Sequence, residues 1–327
     1  MLLKIALLVV LLLSVFSPVR AENTVLISSC EGLIAFARAV QSGGMTDTRV
    51  LLTADIEITR PLVPIGDAAH PFAGTFDGQG HTVSGGVITG AETAGLFGDI
   101  APDGEVRALT LDGFTVSGAA YAGVLAGRCA GLIEGCTVTN SRVSVFSTAL
   151  WGTAAGSLCG SLSGTARRCT AADCAVFSPA RAGGLAGQIA SGAMENCLFT
   201  GDVSCVSLGD APCGGLIGAL LYDGGLKNCL GGGTVRAPRA EYVGGITGAA
   251  FGGAIEDCAF SGVVESSAKY AGAVTGWCAD RTQIAACRYA GASRPIGRGD
   301  GSCRPLAQGN YPLSSLIESL IRLLDTP

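Results

Sequence analysis

The side chains with reactive potential are fourteen cysteines, two histidines and 26 acidic residues. Six cysteines form a column: Cys136, Cys169, Cys197, Cys229, Cys258 and Cys287. Each follows an apolar or small residue by three positions, from Ile133 to Ile284. A buried thiol behaves as a small hydrophobe, so the column reads as a reduced, inward-facing ladder, although export would favour disulfides. Cys205 and Cys213 bracket the insertion Val206–Pro212 and could staple it. Neither a Cys-x-x-Cys pair nor a histidine cluster is present to hold zinc. The histidines, His70 and His81, read as structural. No Gly-x-Ser-x-Gly elbow occurs, and no Gly-Lys-Ser/Thr follows the glycine-rich strings. No catalytic residue, metal or cofactor is therefore expected.

Two arrangements remain. Asp77, Asp99, Asp103, Glu105 and Asp112 crowd the first third of the chain, mostly beside glycine, where turns are expected. A glycoside hydrolase needs two facing carboxylates, and the sequence offers no neighbouring pair further on. The second arrangement is aromatic. Tyr242 and Tyr270 occupy the same position in successive repeats, in a column with Tyr121, Ala154, Arg181 and Pro212. Trp151 lies in the longest insertion, Ser147–Thr153. Loops on a rigid scaffold commonly carry recognition, so Trp151, Tyr242 and Tyr270 are the candidate ligand-binding residues.

The elements that position them come from a repeat. A Gly-small-apolar-x-Gly string closes at Gly98, Gly127, Gly160, Gly187, Gly218, Gly248 and Gly276, at spacings of 27 to 33 residues. Each string is followed by the cysteine column (Leu109 in the first repeat), then by Val116, Val143, Val176, Val203, Val235 and Val264. Such units hold two or three short strands and leave no room for a helix. A unit of this size cannot bury its apolar side alone, but a stack can, which predicts a β-solenoid of about eight coils. A propeller blade needs about 40–50 residues. Four residues after the cysteine position stand Gly113, Asn140, Asp173, Gly201, Gly233, Gly262 and Gly291. These types tolerate positive φ, so a left-handed corner is expected there. Two residues before it, Arg107, Glu134, Arg167, Glu195, Lys227 and Glu256 alternate in sign. In register each charge would lie between opposite charges.

Residues 1–21 read as a secretory signal, with Lys4, an apolar run Ile5–Val15 and Val19-Arg20-Ala21. Residues 22–50 read as an N-terminal cap containing a short amphipathic helix opened by a capping box, Ser28 with Glu31. The β-helix takes 51–300, and 301–327 a C-terminal capping helix, Pro312–Leu324. No later apolar run is long enough to span a bilayer. Glycine supplies 50 of 327 residues, charged residues only 14%, and the net charge is −5. That balance excludes disorder and argues against a nucleic-acid partner.

The segment Phe72-Ala73-Gly74-Thr75-Phe76-Asp77-Gly78-Gln79-Gly80-His81-Thr82-Val83-Ser84-Gly85, with Ala94-Gly95-Leu96-Phe97-Gly98 and the later Gly-Gly-Leu-x-Gly strings, resembles the GLUG-motif family of secreted bacterial proteins. The resemblance covers roughly 24–292 and implies an all-β fold, a single-stranded right-handed parallel β-helix of the pectin-lyase-like type. It also implies a secreted or cell-surface location. The regular cysteine column and low charge depart from the family pattern. The functional expectation is a non-catalytic adhesion or glycan-binding module whose partner is a surface glycan or a host or cell-surface protein. A polysaccharide lyase or glycoside hydrolase is the alternative, and a passive structural or matrix protein the third.

Overall fold

The computed structural model describes residues 24–147, 149, 152–206, 209–290 and 294–299, and the backbone of Cys303–Pro305. The expected signal at 1–21 and the helix at Pro312–Leu324 lie outside the described residues.

The chain winds through four parallel sheets. One coil shows the order. Leu132–Glu134 lies in sheet I, Thr137–Thr139 and Arg142–Val145 in sheet II, Ala154–Ala155 in sheet III and Cys159–Leu162 in sheet IV. The chain then returns to sheet I at Thr165–Arg167. Sheet I holds ten described strands. The count exceeds the eight coils of the glycine repeat because Thr24–Ile27 and Arg49–Leu52 begin sheet I before the repeat starts. The strands are all parallel and short, so each coil hydrogen-bonds only to the coils above and below, about 4.8 Å away.

The periodic apolar residues form inner columns. Val116, Val143, Val176, Val203, Val235 and Val264 pair in register along sheet II. Phe76, Val106, Ile133, Ala166, Met194, Leu226, Ile255 and Ile284 do so along sheet I. The six column cysteines are buried at the corner between these sheets. Each thiol donates to a main-chain carbonyl of the preceding coil, from Cys136 to Val106 O at 3.6 Å through Cys287 to Ile255 O at 3.6 Å. The carbonyl two residues before each cysteine is also within reach, so the single thiol proton is shared between two acceptors. The ladder is thus a chain of thiol donors that link successive coils. Cys205 and Cys213 come side by side as buried thiols rather than as a staple, with Cys205 donating to Ala180 O at 3.1 Å.

The expected left-handed corner appears at Gly113, Asn140, Asp173, Gly201 and Gly233. Gly291 lies outside the described residues, and among those described Gly262 is the exception. Its φ is not positive, and it is glycine because a Cβ would sit 2.2 Å from Gly233 O and 2.6 Å from the Phe260 ring. A second left-handed column, directly before the cysteines, comprises Ala108, Gly135, Arg168, Asn196, Asn228, Asp257 and Ala286. Its mixed composition hid it in the sequence.

Helix α1 (Cys30–Gln41) covers the first coil. Its N-cap is Ser29, whose hydroxyl accepts from Gly32 N, rather than Ser28. The helix starts one residue later than the Ser28–Glu31 box implied, which puts Glu31 in its first turn, near the positive end of the helix dipole. Leu33, Ile34, Phe36, Ala37 and Val40 are buried against the stack. The Phe36 ring meets Phe72 and Phe76 at 6.1 and 6.4 Å. Among the described residues no helix is long and apolar enough to cross a membrane.

Candidate functional site

The glycine string takes the chain from sheet III to sheet IV. Its closing glycine packs on main chain. A Cβ at Gly187 would fall 2.4 Å from Ala155 N, at Gly248 2.3 Å from Cys213 N, and at Gly276 2.4 Å from Val243 N. Only a bare backbone lets sheet IV of one coil approach sheet III of the coil before. This contact draws two outward-facing columns together along a seam.

Sheet III contributes Thr93, Tyr121, Ala154, Arg181, Pro212, Tyr242 and Tyr270. Sheet IV contributes Asp99, Arg128, Ser161, Gln188, Ala219, Ala249, Trp277 and Arg298. The columns touch across the seam. Thr93 donates to Asp99 at 2.9 Å, and the Arg128 guanidinium lies 5.6 Å from the Tyr121 ring centroid. Arg128 also pairs with Asp99 and Glu92, and the two carboxylates raise its pKa against the opposing effect of burial. Midway, buried Arg181 donates to Gln188 at 2.6 Å, and Gln188 donates to Ser161 at 2.9 Å. Beside Asp99, Arg128 and Ser161 opens a cavity of about 280 Å³, also lined by Ala68 and Pro71.

At the far end the seam turns aromatic. Tyr242 and Tyr270 stack on adjacent rungs, with centroids 5.6 Å apart and planes 9° from parallel, as their repeat position predicts. Trp277 leans against Tyr242 at 6.1 Å and Phe251 at 5.0 Å. Arg298 donates to the Tyr270 hydroxyl at 3.1 Å, and the Lys269 ammonium lies 4.8 Å from that ring centroid. These two cations lower the Tyr270 pKa. All three large rings are half-exposed.

Trp151 lies outside the described residues. Trp277 and Arg298 were missed in the sequence reading. Their signal is the residue directly after each closing glycine, a column that runs from Asp99 through Arg128 and Gln188 to Trp277.

The first-coil carboxylates occupy strands rather than turns, except Asp103. Asp77, Asp99, Glu105 and Asp112 all lie in short strands. Asp77 and Glu105 bind Arg107, and Asp112 accepts from Thr139 and Asn140. His81 contacts Asp55 at 3.1 Å, and His70 stands 3.7 Å from Asp67. Among the described residues a neighbouring carboxylate pair does exist further along, Asp210 with Glu241, whose hydrogen bond raises the Glu241 pKa. Groups close enough to share a hydrogen bond leave no room for a glycosidic bond between them, which needs about 5–9.5 Å. No group of three or more metal-ligating side chains occurs among the described residues.

A sequence profile described as the GLUG motif matches residues 239–265, the coil that carries Tyr242 and Gly248. That coil is a match to the GLUG motif. Two curated relatives match short parts of it. Halomucin of Haloquadratum walsbyi is 32% identical over 105 residues, 28% of this chain and 1% of that protein. A "Putative Gly-rich membrane protein" of Evansella cellulosilytica is 39% identical over 99 residues, 27% of this chain and 12% of that protein. The chain thus aligns with only a small part of either relative. Among solved structures, a "putative immunoglobulin A1 protease" from Bacteroides ovatus superposes with a TM-score of 0.56 and 17% identity. That alignment covers 93% of this chain and 88% of the other, a likeness of fold. Within the matched coil, Gly248 is the glycine that packs on the Cys213 main chain and closes the seam.

Proposed function

We propose that this is an exported or cell-surface β-helix that binds a glycan without cleaving it, on the platform formed by Tyr242, Tyr270 and Trp277. The observation that carries the reading is the stacked, half-exposed tyrosine pair beside a tilted indole. Apolar ring faces with polar edges suit sugar rings, whose C–H faces are apolar and whose hydroxyls seek hydrogen bonds. The platform rests on parallel sheets, so it is preformed and loses little entropy on binding. The signal-like residues 1–21 and the surface-type names of the two relatives support an extracytoplasmic location.

Native electrophoresis through gels cast with different polysaccharides tests this. Retardation in at least one gel, with the polymer intact, is expected. Trp277→Ala and Tyr270→Ala should each abolish most of it, and Trp151→Ala should weaken it. A cleared zone would replace this reading with a degrading enzyme. Free migration in every gel would leave adhesion to a protein or a passive matrix role.

A further inference from the structure

The aromatic platform is bordered by cations. Residues 266–299 hold Lys269, Arg281, Arg288, Arg294 and Arg298 against a single acid, Asp280, in a chain whose net charge is −5. Three of the five are tied to the platform or its flanking strand. Arg298 donates to the Tyr270 hydroxyl, Arg281 donates to Phe251 O at 2.7 Å, and Arg294 donates to Ala271 O at 3.2 Å and to Lys269 O at 3.3 Å. The Lys269 ammonium sits over the Tyr270 ring. These four side chains are exposed. None forms an ion pair with a carboxylate among the described contacts, unlike Arg107, Arg128, Arg167 and Arg236 elsewhere. Of the nearby carboxylates, Glu241 precedes Tyr242 and so neighbours Lys269 across the rungs, where the two charges act on each other, and Asp210 hydrogen-bonds to Glu241.

We infer that the platform takes an acidic polysaccharide, a chain of carboxylated sugars whose rings lie on Tyr270 and Trp277 and whose carboxylates meet Arg298 and Lys269. This inference rests on the glycan-binding reading. A guanidinium presents five N–H donors in a planar fork that matches a carboxylate. The phenol of Tyr270 uses one of them and fixes the fork's position.

Polygalacturonate and its fully methyl-esterified form share one backbone and differ in charge. The full-length chain should bind the acid form at least tenfold more tightly than the ester, with the difference shrinking as salt rises. Arg298→Gln and Lys269→Gln should each lower affinity for the acid form several-fold and leave the ester unchanged, while Tyr270→Ala should weaken both. Circular dichroism of each variant checks folding. Equal affinity for acid and ester, or retention only by a neutral glucomannan, would overturn the acidic ligand and leave glycan binding standing. No retention by any of the three would overturn this inference, and the wider gel series would then decide the glycan reading.

Discussion

One methyl group suffices to test why the repeat ends in glycine. In Gly248→Ala the new Cβ would lie 2.3 Å from Cys213 N, and main chain cannot rotate away as a long side chain can. Overpacking of this kind costs about 1–3 kcal/mol, and urea unfolding should show it. Gly225→Ala is the control. It meets nothing closer than the Ala193 Cβ at 4.0 Å, so its effect should stay within about 0.5 kcal/mol. The thiols make a second prediction at this scale. Burial pushes Cys136 and Cys129 from 9.0 up to about 12. The unfolded thiol then loses its proton first, and the folded state holds more protons above pH 9. Stability should therefore be full below pH 9 and fall as pH rises from there toward 12. Cys136→Ala should flatten that slope in denaturation curves taken at pH 8 to 11. The same burial should leave Cys136 unlabelled by iodoacetamide in the native protein and labelled after unfolding.

Sheet I carries its own ordering device. Asp77, Arg107, Glu134, Arg167, Glu195, Lys227 and Glu256 lie in register on successive rungs, with alternating sign. Arg107 reaches Asp77 at 3.0 Å and Arg167 reaches Glu134 at 2.8 Å. Burial opposes the ionisation of Glu134, yet Arg167 and Arg168 outweigh it and hold its pKa below the usual range. Glu134→Lys would stack three cations on neighbouring rungs. Exposed pairs are worth about 0–1 kcal/mol each, so a loss of roughly 1 kcal/mol in thermal unfolding is expected, smaller at high salt. This column, the valine column and the cysteine column were legible because each repeats one residue class at one spacing. The seam was half legible. Tyr242 and Tyr270 stood out as a repeated type, whereas the facing column runs Asp, Arg, Ser, Gln, Ala, Ala, Trp and shows no shared chemistry. Only the fold supplies what unites it, the packing of a bare glycine one residue earlier. The left-handed corner before the cysteines stayed hidden for a related reason. Arg168 and Ala286 adopt positive φ because the rungs around them impose it, against their own preference.

At the scale of the molecule, stability is a sum over rungs, since each coil touches only its neighbours and helix α1 closes one end. Phe36→Ala removes the ring that seats the helix on Phe72 and Phe76. A loss of about 3–5 kcal/mol is expected, and hydrogen exchange should rise first in the strands Arg49–Leu52 and Thr75–Asp77 beneath the helix. The parallel winding also sets how the protein would bear load. Thr24 and the last strand lie at opposite ends of the stack, so tension between them acts along the axis and peels rungs one after another. Each rung released frees about 30 residues, roughly 100 Å of slack at ~3.4 Å per residue. Pulled from both ends, the chain should lengthen in a train of near-equal steps, a shock absorber that yields gradually and re-coils when the strain is gone.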